Sequence, residues 1–447
     1  MHMPQTGTKT LIVGLGKTGL SCARFLAARG VEFAVTDSRE HPPGLKELRN
    51  EMPDAAVFVG GFSEAALNHA DHLVVSPGVA VSIPFIIKAR AMGLPVLGDI
   101  ELFARHVRAP VIAVTGSNGK STVTTLTGSM AEHAGREVRV GGNLGLPALD
   151  LIRDQEPDLY VLELSSFQLE VTDSLRCESA TVLNISHDHM DRYATLQDYA
   201  AAKARVFRHC KTAVLNRDDA LVREMAGKSG ARVSFGVDAP QADDYGVIAY
   251  HGERWLVRGG ERLLAAAELR LHGDHNLANA LAALALGEAV GLPLPAMLAA
   301  LKQFRGLPHR MEFVTRVNGV DWYDDSKGTN VGATLAAVSG LAGPLVLIAG
   351  GDGKGQDFAP LADALTGKVR AVVLLGKDAP AIEAAIAGRI PVQHVKDMPT
   401  AVRTAAQLAQ AGDRVLLSPA CSSLDMFENF EQRGRMFAQA VRRLADG

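Results

Sequence analysis

The stretch from Val111 to Thr122, Val-Ile-Ala-Val-Thr-Gly-Ser-Asn-Gly-Lys-Ser-Thr, sets an apolar, β-branched run before a glycine-rich turn and a Lys-Ser-Thr triplet. The run reads as a buried strand, and the triplet opens a helix that reaches about His133. Strand, tight loop and helix N-terminus together bind phosphate, because the loop N–H groups and the helix dipole point at the anion. In this pattern Gly116, Ser117, Asn118 and Gly119 wrap the phosphates. Lys120 reaches the terminal ones, and the Ser121 hydroxyl, next to Thr122, can ligate Mg²⁺. The strict pattern asks for a glycine five places before Gly119, where this chain has Val114, so the loop is a variant.

Further ionisable residues follow at strand ends. Leu159 to Leu162 is an apolar strand that delivers Glu163 and then Ser165-Ser166-Phe167-Gln168. An acid at the end of a buried strand downstream of a phosphate loop can hold Mg²⁺ directly or through water, although a salt-bridged acid would look the same. The strand Ala180 to Ile185 ends in Ser186-His187-Asp188-His189-Met190-Asp191-Arg192, a polar cluster that reads as a site. Two histidines so spaced do not by themselves define a metal ligand set. Lys203 lies in a helical stretch, Leu196 to His209, and on the residues alone reads as a solvated face lysine. Asn276 and Asn279 share a helix face, where their amides could read a purine edge or cap the helix Ala280 to Val290.

The elements that must position these groups read as α/β throughout. Lys9 to Val13 is a strand, Gly14-Leu15-Gly16-Lys17-Thr18-Gly19 turns into a helix ending at Gly30, and Val31 to Thr36 is a strand ending in Asp37-Ser38-Arg39. This is the dinucleotide fingerprint, and it calls for a nucleotide or its diphosphate on the helix N-terminus without saying which. Lys17 could add charge there. The strand His72 to Val75 ends in Ser76-Pro77-Gly78, and strand carboxyl ends line the crevice of an open sheet. Near the C-terminus three polar loops, 324–330, 350–354 and 418–423, follow strands of an alternating α/β pattern, where a small charged substrate would dock. The expected architecture has three domains. They are an N-terminal Rossmann-like domain over 1–98, a central P-loop α/β domain over 99–306 with a small antiparallel patch between Val233 and Leu271, and a C-terminal dehydrogenase-like α/β domain over 307–447. A hinge is expected near Phe304 to Leu307.

Composition narrows the class. The chain has 447 residues, 47% hydrophobic and 21% charged, as in ordinary globular domains. Its net charge of −3, with no basic block, gives no nucleic-acid footprint. No apolar run approaches the length of a membrane span. The start, MHMPQTGTKT, lacks the apolar core of a signal peptide, so a cytoplasmic protein is expected. Cys22, Cys177, Cys210 and Cys421 form no zinc spacing and read as reduced packing thiols.

A central phosphate loop flanked by two further binding domains suits an ATP-using ligase better than a lone ATPase. The motifs Thr115–Thr122, Glu163–Leu169, Asn184–Arg192, His275–Asn279, Leu307–Arg310 and Asp324–Lys327 resemble the Mur ligase family, in family order over nearly the whole chain. The turn from Gly14 to Ser21, the Gly350–Lys354 loop, Leu417–Asp425 and Asn429–Gly434 resemble the members that add D-glutamate.

The resemblance implies that ATP phosphorylates the carboxylate of UDP-N-acetylmuramoyl-L-alanine. The D-glutamate amine then attacks the acyl phosphate, and a tetrahedral intermediate collapses to the amide, ADP and phosphate. This is a step of peptidoglycan-precursor synthesis, and through it of cell shape and division. Two Mg²⁺ ions are implied. Ser121 and Glu163 would serve one; Glu163, His189 and Lys203 would serve the other, with Lys203 as a carbamate, whose formation needs a neutral amine that burial favours. Lys120, Glu163, His189 and Lys203 would thus be the catalytic set. Asn276, Asn279, Arg310 and Asp325 would contact the nucleotide. Leu15, Thr18, Asp37, Ser38 and Arg39, with Ser76, Pro77 and Gly78, would hold the uridine diphosphate. Asn143 and the segment Ser165 to Gln168 would meet the muramoyl-alanine end or the acyl phosphate. Thr329, Lys354, Ser423, Leu424 and Phe430 would hold D-glutamate. A monomer is expected. Other readings remain at this point: a different amide ligase with the shared core, a nicotinamide-dependent oxidoreductase built on Gly14 to Asp37, or a nucleotide-binding regulator without turnover.

Overall fold

Short aliphatic and β-branched runs become parallel strands where helices cover both faces of the sheet. A computed structural model describes residues 7–226, 230–271 and 273–446, so most of the N-terminal stretch read above for a signal peptide lies outside the described residues. Its first sheet is built on Lys9–Val13, which pairs in parallel with Glu32–Thr36 on one side and His72–Val75 on the other. Ala56–Phe58 and Val96–Leu97 form the edges of this five-stranded sheet. The winding reverses between Lys9–Val13 and His72–Val75, and the carboxyl ends of such neighbours frame a ligand crevice.

In the second sheet Val111–Thr115 lies between Leu159–Glu163 and Cys177–Val182. All five residues of Val111–Thr115 and of Leu159–Glu163 are buried, as strands covered on both faces must be. Val138–Gly142 pairs outside Leu159–Glu163, so Gly141 and Gly142 lie in a strand. On the other side Cys210–Asn216 and Ala231–Phe235 continue in parallel. The hairpin Tyr245–Tyr250 with Glu253–Arg258 is antiparallel, and Glu261–Ala265 ends the order. The expected antiparallel patch is therefore an extension of the parallel sheet, and its first part, near Val233, is itself parallel. The helix expected from Ala280 begins earlier, at Asp274, so Asn276 and Asn279 lie inside it rather than capping it.

The third sheet begins with the antiparallel pair Glu312–Val317 and Val320–Asp324 and continues in parallel through Arg414–Leu417, Leu345–Ala349, Val369–Leu374 and Val392–His394. Apolar clusters cover both its faces: Leu345, Leu347 and Leu361 pack on one side, and Val346, Ile348 and Trp322 with Phe437 on the other. Chain contacts divide the protein into two compact units. The first comprises Met1–Asn184, Gln197–Leu264 and Asn279–Leu301; the second comprises Ile185–Leu196, Ala265–Ala278 and Lys302–Gly447.

The helix Phe430–Asp446 is fastened to the third sheet by a buried charge. Arg433 is 1% exposed. Its Nε donates to Ser326 Oγ at 3.0 Å, its Nη2 to Ser326 O at 2.7 Å, and its Nη1 to Cys421 O at 3.1 Å. Burial pushes the guanidinium down to about 10, which leaves it charged at neutral pH. One side chain thus joins the loops after two adjacent strands. Replacing it strands buried carbonyls, at a cost of ~1–3 kcal/mol each. Arg433→Ala is expected to lower the thermal transition of the second unit by several degrees in calorimetry, with Arg433→Lys recovering only part. A transition unmoved by Arg433→Ala would contradict this account.

Candidate active site

Gly116 and Gly119 take backbone angles that side chains disfavour, φ +147° and +83°, and a Cβ on Gly119 would lie 2.5 Å from Asn279 Oδ1. The loop between them closes on itself before the helix Lys120–His133 begins. Lys120 Nζ donates to Gly116 O and Ser117 O, each at 2.8 Å, and so stands over the loop mouth. The loop is clamped from the neighbouring strand end by Asn184. Its backbone O accepts from Ser117 N at 2.9 Å, its Oδ1 accepts from Asn118 N at 2.8 Å, and its Nδ2 donates to Asn118 O at 3.1 Å. Asn184 was not singled out by sequence reasoning as a holder of the loop; the strand expected to run to Ile185 ends at Val182, which leaves Asn184 in the turn beside the loop strand. Ser121 and Thr122 are buried in the first helical turn. Asn279 lies against Gly119, while Asn276 is one turn nearer the start of the same helix.

Glu163, the last residue of its strand, is 2% exposed. Asn143 holds it twice: Asn143 N donates to Glu163 O and Asn143 Nδ2 to Glu163 Oε1, both at 2.8 Å. Lys203 is also 2% exposed, which overturns the solvated-face reading made from its helix position. Its Nζ lies 3.4 Å from Thr115 Oγ1, at the end of the phosphate-loop strand, and 4.6 Å from the centre of the Tyr199 ring. The helix Leu196–Ala204 turns this face inward with Tyr199, so the general expectation that a helix lysine faces solvent pointed the wrong way. Ser121 Oγ and the Glu163 carboxylate are hard oxygen donors beside a phosphate loop, and that donor set fits Mg²⁺. His189 belongs to the Ile185–Leu196 segment of the second unit and has a left-handed backbone, φ +58°.

The fingerprint turn of the first sheet is held by its own acid. Asp37 Oδ2 accepts from Leu15 N at 2.7 Å, and Arg39 grips the carboxylate through N, Nε and Nη2. Burial pushes Asp37 up, but the Arg39 side chain and the Leu15 and Arg39 N–H groups outweigh it, and the carboxyl settles below its ordinary range. Ser76 Oγ donates to Gly14 O at 2.7 Å. A Cβ on Gly19 would stand 2.0 Å from Gly14 O, so this position requires glycine. The Leu15 side chain is in the core, which leaves only its backbone for a ligand, whereas Thr18 and Pro77 are half-buried and Ser38, Arg39 and Gly78 exposed. Lys17 Nζ is engaged by Gly145 O.

In the third sheet the loops after three adjacent strands meet. Ser418 Oγ donates to Asp325 Oδ2 at 2.8 Å, and Ala420 N to Gly328 O at 2.9 Å. Burial pushes the Asp325 carboxyl up to about 7 against the pull of Ser418 and Arg310. His309 and Met311, on either side of Arg310, both have positive φ, and His309 Nδ1 bonds Asp324 Oδ2 at 2.7 Å. That bond to Asp324, stronger than the opposing burial, raises the His309 pKa. Lys354, at φ +53°, donates to Asp188 Oδ1, and Asp188 Oδ2 accepts from Asn330 Nδ2 at 3.2 Å. Asp188 was not singled out by sequence reasoning as Lys354's partner. Ser423 is buried, Thr329 and Phe430 half-buried, and Leu424 exposed; Lys327 Nζ lies 4.9 Å from the centre of the Phe430 ring.

Comparison with known proteins accounts for all three sheets. Residues 8–98 match the Mur ligase MurD-like N-terminal domain, residues 114–287 the Mur ligase middle domain, and residues 309–421 the Mur ligase glutamate ligase domain. The chain is similar to the UDP-N-acetylmuramoylalanine--D-glutamate ligase of Nitrosococcus oceani, 58% identical over 443 residues, covering 99% of this chain and 98% of the relative. It is 54% identical to the protein of that name from Pseudomonas aeruginosa, over 97% of this chain and 98% of the relative. Among solved structures, a pseudomurein peptide ligase type C from Methanothermus fervidus shares the fold at TM-score 0.64 and 17% identity, covering 98% of this chain and 100% of that one. The UDP-N-acetylmuramate-alanine ligase of Thermotoga maritima does so at TM-score 0.61 and 20% identity, covering 97% and 99%. With its phosphate loop, its three sheets and relatives more than half identical along their length, the chain belongs to the Mur ligase family.

Proposed function

We propose that this protein is the ATP-dependent ligase that joins D-glutamate to UDP-N-acetylmuramoyl-L-alanine in peptidoglycan-precursor synthesis. The observation that carries this reading is the near-full-length similarity to ligases of that name, in a chain whose phosphate loop is fully built. Each sheet serves one substrate: the UDP moiety on 1–98, ATP on 99–306 and D-glutamate on 307–447. The protein acts as a monomer in the cytoplasm; among the described residues no helix is long and apolar enough to cross a membrane.

A carboxylate is a poor acyl donor, and phosphorylation supplies the leaving group. Lys120 and the N–H groups of 116–122 hold the phosphates and stabilise charge as it moves to the leaving oxygen. Asn276, Asn279, Arg310 and Asp325 bind the nucleotide. Leu15, Thr18, Ser38, Arg39, Pro77 and Gly78 surround the uridine diphosphate, while Asp37 and Ser76 hold the turn. Asn143 and Ser165 meet the muramoyl-alanine end, with Gln168 behind them. Lys354 pairs a D-glutamate carboxylate, exchanging it for Asp188, alongside Thr329, Ser423, Leu424 and Phe430. Ser121, Glu163, His189 and Lys203, if carbamylated, would hold two Mg²⁺ ions, which would supply neutralisation of phosphate charge. The amine must meet the acyl carbon within about 3–3.5 Å, and water must be kept out so that the acyl phosphate is not lost to hydrolysis.

Phosphate release from ATP in the presence of Mg²⁺ and UDP-N-acetylmuramoyl-L-alanine is expected to depend on D-glutamate and not on L-glutamate, L-lysine or D-alanine. Release driven by another amino acid would change the substrate, and nucleotide binding without release would turn the reading to a regulator. Lys203→Arg keeps a cation but cannot form a carbamate. It is expected to lower kcat at least about 100-fold, a loss of roughly 3 kcal/mol of transition-state stabilisation, and to abolish a ¹³C-bicarbonate carbamate signal in NMR. A variant that turns over at the parental rate would remove Lys203 from the catalytic set.

A further inference from the structure

Asp99 opens the helix Asp99–Ala104, directly after the edge strand Val96–Leu97 of the first sheet. It is 1% exposed. Its Oδ2 accepts from Gln168 Nε2 at 2.9 Å, and its Oδ1 is buried without a hydrogen-bond partner. The other end of the Gln168 amide faces Ser165: Gln168 Oε1 accepts from Ser165 N at 3.0 Å and from Ser165 Oγ at 3.2 Å. Gln168 N returns a bond to Ser165 Oγ at 3.2 Å. Gln168 is buried, while Ser165, two residues beyond Glu163, is half-buried and reachable. Flipping the amide would set an NH₂ against the Ser165 N–H and an oxygen against the Asp99 carboxylate, two repulsions. Asp99 therefore decides which way Gln168 points, and Gln168 decides where the Ser165 hydroxyl sits.

The surroundings make this acid sensitive to protons. Burial, opposed by the bond from Gln168, pushes the Asp99 carboxyl up to about 6. Cys22 on the helix Lys17–Ala27 is raised mainly by burial and further by both Asp99 and Asp150. Asp150, in the turn Ala148–Leu151, accepts from Ser21 Oγ at 2.6 Å. On the short helix Ser166–Glu170 the remaining acid is Glu170. On its own helix Glu101 is held by Arg105 Nε at 2.8 Å and by the N–H groups of Asp173 and Ser174.

We propose that Asp99 is a positioning residue of the ligase: through Gln168 it sets Ser165 to receive the muramoyl-alanine end of the UDP-linked substrate. This rests on the reading that the segment 163–168 receives that substrate. An ionised carboxylate is a stronger acceptor than a protonated one. Asp99 is ionised above about pH 6 and protonated below it, so substrate affinity falls as the pH drops through that value.

The test is calorimetric binding of UDP-N-acetylmuramoyl-L-alanine to the full chain, from about pH 5.5 to about pH 8. Asp99→Ala is expected to weaken this substrate about tenfold at the upper pH, the value of roughly one lost hydrogen bond, with ATP affinity unchanged within about twofold. Asp99→Asn keeps a neutral acceptor for Gln168, as the protonated acid does; it should bind at the parent's low-pH affinity across the range and lose the step near pH 6 that the parent shows. Substrate binding by Asp99→Ala within about twofold of the parent, or a step that persists in Asp99→Asn, would overturn the proposal. If Asp99→Ala does not fold, the isosteric Asp99→Asn carries the test on the pH step alone. Ser165→Ala separates the two layers: unaltered binding there removes the substrate reading itself, whereas weakened binding there with an unaltered Asp99→Ala removes only the role of Asp99.

Discussion

The carboxyl ends of parallel strands are the constraint on which the rest depends. Strands such as Val111–Thr115 and Leu345–Ala349 are buried along their whole length, so polar side chains are displaced to the residues just beyond them. There they cannot be left unpaired without a cost of ~1–3 kcal/mol per group. Each of the three sheets meets the cost in the same way, by bonding the loop after one strand to the loop just beyond the end of its neighbour. Ser76 bonds Gly14, Asn184 clamps Ser117 and Asn118, and Ser418 bonds Asp325. Residues needed for satisfaction thereby become residues held in fixed geometry, which is what binding a phosphate or a carboxylate requires.

Charges inside this framework are handled locally. Asp37 is surrounded by Arg39 and by N–H groups and stays ionised easily, whereas Asp325 and Asp99 have fewer donors and are pushed up to about 7 and about 6. The contrast follows from depth and donor count together: Asp99 and Asp325 lie in deeply buried surroundings, whereas Asp37 lies nearer the surface with Arg39 folded over it. A carboxylate with several donors serves as a rigid part of a turn. A carboxylate with one or two remains responsive to its surroundings, and such groups gather where function is expected.

Local pattern made much of this legible. The strand, glycine loop and Lys-Ser-Thr turn predicted the phosphate loop and the end of its helix at His133. Most of the third sheet followed from short aliphatic runs alternating with helical ones. Edge strands of two or three residues, Val96–Leu97 and Ala56–Phe58, are too short to show a period and were missed. Lys203 was misjudged because a lysine in a helix usually faces solvent, and nothing in the local sequence marked this one as inward-facing. The pairs that set the sites, Asp99 with Gln168, Asp188 with Lys354 and Arg433 with Ser326, join residues 69, 166 and 107 positions apart. No window along the chain contains both partners, and only the fold brings them together.

That separation has a consequence for how the sites can vary. A residue inside a phosphate loop is constrained by its neighbours in sequence, and Gly119 is fixed by its own φ and by Asn279. A distant supporting residue such as Asp99 or Arg433 is constrained by one bonding pattern, and another side chain with the same donors or acceptors could satisfy it. Arg433 offers several donors in a rigid planar fork to two carbonyls and a hydroxyl, a set that lysine cannot reproduce from a single ammonium. Asp99 offers one acceptor to one amide, and asparagine can supply the same atom without the charge. The first position is thus fixed by geometry. The second is fixed by geometry only up to its charge, which is the one respect in which aspartate and asparagine would differ there.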